Sequence, residues 1–226
     1  MDLTPQELEA TLLSLKIAGV ATLASLPFAI LVGYALSREF PGHALLNAAT
    51  HLPLVLPPVV TGYALLLLFG LRGPLGAFLA AHFGVVFAFR WTGAALAAAT
   101  MSFPLLVRPI RLSFEAVDPR LPQVARSLGA GRLWGFLLVE LPLALPGVLA
   151  GAALGFAKAL GEFGATITFV SSIPGETRTI PAAIYGLIQS PEGDLGALRL
   201  ALLATALAVG ALMISEAAQR RAGRRA

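Results

Sequence analysis

The sequence predicts an all-α membrane protein with about five transmembrane helices. Three observations carry that expectation. Apolar residues fill 57% of the 226 positions and charged residues only 12%, with mean hydropathy +0.82. A soluble domain of this size has no interior large enough for so much apolar surface. Runs of about 20 residues nearly free of charge recur, and a helix needs about that length to cross a bilayer. No β-barrel alternation and no tandem repeat interrupts them.

The elements follow in order. The first span is Leu12–Leu36. The segment before it, "MDLTPQELEA", holds Asp2, Glu7 and Glu9 and no Lys or Arg. A signal peptide starts basic, so this span is expected to stay in the mature chain. The second span is Leu52–Leu71, with Pro53, Pro57 and Pro58 near its start. Prolines remove backbone donors and bend helices, so a fixed kink is expected there, with a gating hinge as the alternative. Leu75–Phe89 is apolar but short, contains His82 and is closed by Arg90. It is expected to lie at the interface; were it to cross, the count would be six. Trp91–Val107 is a third span ending at Arg108, and Leu137–Leu160 and Leu195–Ile214 complete the five.

Charge placement gives an orientation. Arg38, Arg108, Arg111, Arg120, Arg126, Arg132, Arg220, Arg221, Arg224 and Arg225 fall on one side, against Arg72, Arg90 and Arg178 on the other. Ten basic residues against three put the first side in the cytoplasm. The acidic N-terminus is then outside and the C-terminus cytoplasmic. The formal net charge of +4 serves orientation here and is not a nucleic-acid signal. Cysteine is absent, which excludes disulfides and thiol chemistry. The whole chain, residues 1–226, reads as one transmembrane domain with a cytoplasmic loop over about 108–134.

That loop holds the most informative stretch. Pro119 and Pro122 suit a helix start, a short helix runs from about Leu121 to Leu128, and Gly129 is placed to end it. Leu121, Val124, Ala125 and Leu128 share one face by their 3, 4, 7 spacing, while Gln123, Arg126 and Ser127 lie away from it. Such a helix is too short to span. Its apolar stripe either sits among lipid headgroups or docks a partner protein.

The spacing Gln123-Val124-Ala125, three residues, Gly129, nine residues, Val139, one residue, Leu141-Pro142 resembles the cytoplasmic-loop motif of ATP-binding-cassette (ABC) importer permeases. That motif reads Glu-Ala-Ala, three residues, Gly, nine residues, Ile, one residue, Leu-Pro. Here Gln, Val and Val replace its Glu, first Ala and Ile. The strings "SFPLLVRPIRLSFEAVDPRL" and "ALGEFGATITFVSSIPGETRTIPAAIYGLI" further resemble the molybdate/tungstate permease branch, and the likeness covers Met101–Ile188 best. The resemblance implies a type I ABC importer permease fold. It implies that Pro119, Leu121, Gln123, Val124, Ala125, Arg126, Leu128, Gly129, Ala130 and Gly131 form a coupling helix docked on an ATPase. It also implies a homodimer of permeases in the inner membrane, two cytoplasmic ABC ATPase subunits, and an extracytoplasmic oxyanion-binding protein docking on outer loops such as Ile173–Pro191. The substrate would be molybdate or tungstate.

The chain carries no engine of its own. No Gly-x4-Gly-Lys-Ser/Thr phosphate loop occurs, and His43, His51 and His82 lack metal-ligand pairing. No cofactor is therefore expected on this chain; ATP and magnesium belong to the partner ATPase, and the chain is not an enzyme. Candidate path or gate residues cluster in the fourth span and after it. Gly147, Gly151, Gly155, Lys158 and Glu162 fall within an arc of about 80° on one helix face. The glycines serve either close helix packing or a smooth pore wall. Lys158 and Glu162, spaced i, i+4, are either a structural pair or part of the path. Thr166, Thr168, Ser171 and Ser172 offer hydroxyls without net charge, which suits passing a dianion without holding it. Two rival functions are a permease for sulfate or another oxyanion and an ion-driven secondary transporter. The second needs midplane ionisable sites and paired repeats, and neither is visible.

Overall fold

A computed structural model describes residues 3–223, and side chains through 217. Among these every regular element is helical. The tail residues Arg224 and Arg225, and the side chains of Arg220 and Arg221, lie outside the described residues.

Helix α1 (Pro5–Leu36) opens with a capping box. The Glu7 N–H donates to Thr4 Oγ1 at 3.3 Å, and the Thr4 N–H donates to Glu7 Oε2 at 2.8 Å. This satisfies two otherwise orphaned donors and starts the helix seven residues before the apolar run. Helices α2 (His43–Val55) and α3 (Pro58–Phe69) replace the single second span expected from sequence. They meet at 112° across Leu56 and Pro57. Pro53 is carried inside α2, whereas Pro57 and Pro58 stand at a break in place of the expected kink. Pro57 cannot donate, and Pro58 biases the residue before it to extended backbone. Helix α4 (Pro74–Phe83) has ten residues, about 15 Å, half of what a crossing needs. It ends at Gly84 in the left-handed region (φ 65°), six residues before the predicted boundary. Among the described residues four helices are long and apolar enough to cross, and the bent α2–α3 pair supplies the fifth candidate.

Helix α5 (Trp91–Glu115) is the hub. Gly93, Ala94, Ala95, Ala97 and Ala98 are buried, and such small residues let α1 and α8 approach its backbone. It continues two turns past the expected end at Val107, so Arg108 and Arg111 are helical. The connector holding α6 (Arg120–Ser127) is therefore only 116–131, shorter than the expected 108–134. Next, α7 (Arg132–Gly135), a π-helical turn (Phe136–Glu140) and α8 (Leu141–Leu160) run on as one 29-residue helix. Residues 161–194, between the last two expected spans, contain α9 (Gly164–Val170) and α10 (Ile180–Leu187). Phe169, Val170 and Ile180 there are fully buried. Helix α11 (Asp194–Gly223) packs on α8 and α10 and leaves most of its apolar side chains facing outward.

Two apolar clusters hold the bundle. One joins α1, α5, α8 and α9 around Ile17, Met101, Leu160 and Phe169. The other joins α1, α5 and α8 toward the α6 end around Leu36, Leu106, Ile110 and Phe114.

Candidate functional site

Helix α6 is capped at both ends and touches the segment that follows it, while its apolar stripe stays uncovered. The Arg120 N–H donates to Asp118 Oδ1 at 2.9 Å, a local cap before the first turn. At the other end the Ala130 N–H donates to Ala125 O and the Gly129 N–H to Arg126 O, both at 3.0 Å. These are the two bonds of a Schellman motif, and Gly129 takes its left-handed position at φ 89°. A Cβ at Gly129 would meet nothing within 4 Å. Conformation, not crowding, therefore demands glycine there. No residue of α6 is buried. Its apolar stripe is uncovered: Leu121 is 44%, Val124 56% and Leu128 83% exposed, followed by Leu133 at 65% and Trp134 at 59%. Gln123 and Arg126 are also exposed and Ala125 is half-buried, while Gly131 caps the next helix. Pro119 is the N-cap residue of α6.

The stretch after α6 carries a residue that sequence reasoning missed. Glu140, last in the π turn, is 5% exposed and accepts from Arg38 Nη2 at 2.9 Å. Tyr34 stacks edge-on against Phe136 and Phe114, with centroids 4.8 and 5.2 Å apart. A single acid inside the apolar run "FLLVELPL" was the available signal, since a buried carboxylate needs a partner. A groove of about 700 Å³ separates α6 from α1, lined by Tyr34, Arg38, Gln123, Arg126 and Glu140 among others.

The candidate path residues divide into two groups. Gly151 and Gly155 are buried against α5: a Cβ on Gly151 would stand 2.6 Å from Leu106 O, and one on Gly155 would overlap the Leu106 side chain. They bring two helices together and face no open wall. Lys158 Nζ donates to Glu162 Oε2 at 2.6 Å. Glu162, 2% exposed, also accepts the Ala165 N–H on Oε1 at 3.0 Å, so it caps α9 while it pairs. Thr166 and Thr168 donate to carbonyls of their own segment, Phe163 O and Gly164 O, both at 2.8 Å. Ser171 ends α9 at φ 62°, ψ −164°, a region other residues leave almost entirely to glycine. The Thr177 hydroxyl holds this turn, accepting the Ile173 N–H at 2.8 Å and standing 3.2 Å from Ser171 O. Ser172 lines a cavity of about 860 Å³ at the far end of the bundle from α6, with Glu7, Arg178 and Arg199. Glu7 and Arg199 pair there at 2.8 Å, joining the starts of α1 and α11. Among the described residues no three His, Asp or Glu gather as a metal site.

Comparison with known proteins places this architecture. The chain is 58% identical over 229 residues to the molybdenum transport system permease protein ModB of Escherichia coli strain K12, covering 99% of this chain and all of the relative. It is 38% identical over 186 residues to the sulfate transport system permease protein CysT of Salmonella typhimurium, covering 82% of this chain and 67% of the relative. Among solved structures, a bacterial alginate ABC transporter bound to an alginate pentasaccharide-loaded periplasmic protein matches with TM-score 0.74. That match, at 18% identity, covers 96% of this chain and 80% of the other and shows a shared fold. Residues 25–224 match the family described as binding-protein-dependent transport system inner membrane component. The chain is a multi-pass membrane protein that belongs to this family of ABC importer permeases.

Proposed function

We propose that the chain is the permease subunit of a molybdate importer, also able to pass tungstate, driven by ATP hydrolysis on a separate ATPase. The observation that carries this reading is the uncovered stripe of Leu121, Val124 and Leu128 on a Schellman-capped helix. An exposed apolar patch marks a protein or membrane contact, and the coupling-motif spacing around this one favours a protein. The 58% identity to a molybdenum permease over its full length supports the cargo.

In this reading the α6 end is cytoplasmic and α6 seats in a groove of the ATPase. Two copies pair in the membrane with two ATPases, which hold ATP and magnesium. The end bearing α10, Arg178 and Ser172 is outside, where an oxyanion-binding protein delivers its load. The N-terminus is outside and the C-terminus cytoplasmic. Serine and threonine hydroxyls at 166–172 contribute to the path through exposed Ser171 and half-buried, cavity-lining Ser172. Thr166 and Thr168 already serve their own backbone, and Lys158–Glu162 fixes the turn that carries them.

Uptake into proteoliposomes holding the permease–ATPase complex, with the cognate binding protein outside and ATP inside, tests the reading. Molybdate accumulates, tungstate competes and sulfate does not. Sulfate accumulation with molybdate indifferent would move the chain to the sulfate branch, which its 38% identity to a sulfate permease keeps in view.

A further inference from the structure

We propose that the ion pair between buried Glu140 and half-exposed Arg38 is the link through which movement of α6 reaches α1. The inference rests on the permease reading above and names a transmission contact within it. Only Leu128–Gly131 separate α6 from the long helix that begins at Arg132. A push on α6 therefore enters that helix almost directly. The first weak point it meets is the π turn Phe136–Glu140. Leu141 N–H bonds to Phe136 O, five residues back, and Pro142 has no N–H to offer. An unbraced turn there would absorb the displacement by changing register.

Glu140 braces it. Its carboxylate comes from the last residue of the turn and reaches across 102 residues of sequence to Arg38, two positions past the end of α1. Oε1 takes the 2.9 Å bond from Arg38 Nη2, which also donates to the Tyr34 hydroxyl at 3.3 Å, so the three polar groups meet at one point. An ion pair with one buried and one half-exposed partner gains little stability over the cost of taking the carboxylate out of water. An apolar side chain of similar volume would usually serve as well or better. Its place inside the otherwise apolar "FLLVELPL" points to positioning: a directional, charge-assisted bond fixes where α1 stands relative to the turn. The Tyr34, Phe114 and Phe136 rings fill the space beside it, so the ends of α1, α5 and the π turn form one junction. Helix α1 packs on both α5 and α8, and displacing its end displaces the bundle.

The test uses the full permease–ATPase complex in proteoliposomes with the loaded binding protein, reading oxyanion taken up per ATP hydrolysed. The variants are Arg38→Ala, Glu140→Gln, the double variant, and the conservative Arg38→Lys. Arg38→Ala leaves a buried carboxylate without its cation, so the double variant, in which no charge is stranded, decides the test if that single variant does not assemble. The expected result is complexes that assemble with the ATPase while uptake per ATP falls about tenfold, within the usual range of coupling between sites. The double variant is no worse than either single, and Arg38→Lys recovers most of the ratio. An unchanged ratio in Arg38→Ala overturns the proposal, as do losses that multiply in the double variant. If the wild-type complex itself shows no ATP-driven uptake, the permease reading fails instead.

Discussion

Replacing Gly129 with alanine isolates what the glycine of the coupling motif does. Gly129 holds φ 89° between α6 and the next helix, and two backbone bonds depend on it. A Cβ there would touch nothing within 4 Å, so no clash enters the account. The cost is conformational: an L-residue in the left-handed region loses about 1–2 kcal/mol. Flipping out of that region would forfeit both Schellman bonds, at about 0.5–1.5 kcal/mol each, with two carbonyls left to water. The two routes cost similar amounts, so the free loop of the variant populates both. No residue of α6 is buried, so the permease alone barely registers the change. Docking must restore the original turn, and 1–2 kcal/mol is about a 5- to 30-fold loss of ATPase affinity. The assay is ATPase binding to the permease in nanodiscs, beside its thermal unfolding. Gly135→Ala is the control: Gly135 is helical at φ −59° with open space around its Cβ, so alanine there is neutral or mildly stabilising. Equal affinities for the two variants would refute the reasoning.

Other consequences follow from the same geometry. Leu128→Ala removes an 83%-exposed side chain, so it leaves the melting temperature of the free permease unchanged and weakens ATPase binding by about 1–2 kcal/mol in the nanodisc assay. Glu162→Ala loses both the Lys158 pair and the α9 cap, whereas Glu162→Gln keeps an acceptor for Ala165. Thermal unfolding in detergent therefore ranks wild type above Gln above Ala, the last step about 1 kcal/mol. Ser171→Gly relieves a glycine-type backbone and raises stability by about 1 kcal/mol, read by the same unfolding measurement, unless the hydroxyl is needed for uptake, which the proteoliposome assay separates.

Long apolar runs made α1, α5, α8 and α11 visible in the sequence, because each exceeds what any other setting requires. Their ends were less visible. Polar first and last turns, such as Thr4–Ala10 and Arg108–Glu115, continue a helix without continuing its hydropathy. The prolines near residue 57 announced a disturbance, but a missing donor says nothing of the direction or size of the 112° turn. Helix α9 looked like loop because it opens on glycine and is rich in threonine. It is a helix because Gly62 lets its backbone lie against α3, where a Cβ would stand 2.5 Å from Ala165 O, and because Phe169 fills the core. The glycine row at 147, 151 and 155 was legible as close approach, while its partners on α5 were not. Gly129 was legible from position alone, since few other residues end a helix in that way. Glu140 escaped notice for the opposite reason: its partner lies 102 residues away, beyond any local pattern.

The chain has no cysteine, so a single Leu128→Cys creates one unique thiol on the exposed stripe of α6. Crosslinking from that thiol in intact membranes, with a reagent short enough to demand contact, measures directly what α6 touches. The account predicts a covalent adduct with the ABC ATPase and protection from a membrane-impermeant thiol reagent added outside. Labelling by that reagent, or the absence of any ATPase adduct from a complex that still transports, would contradict it.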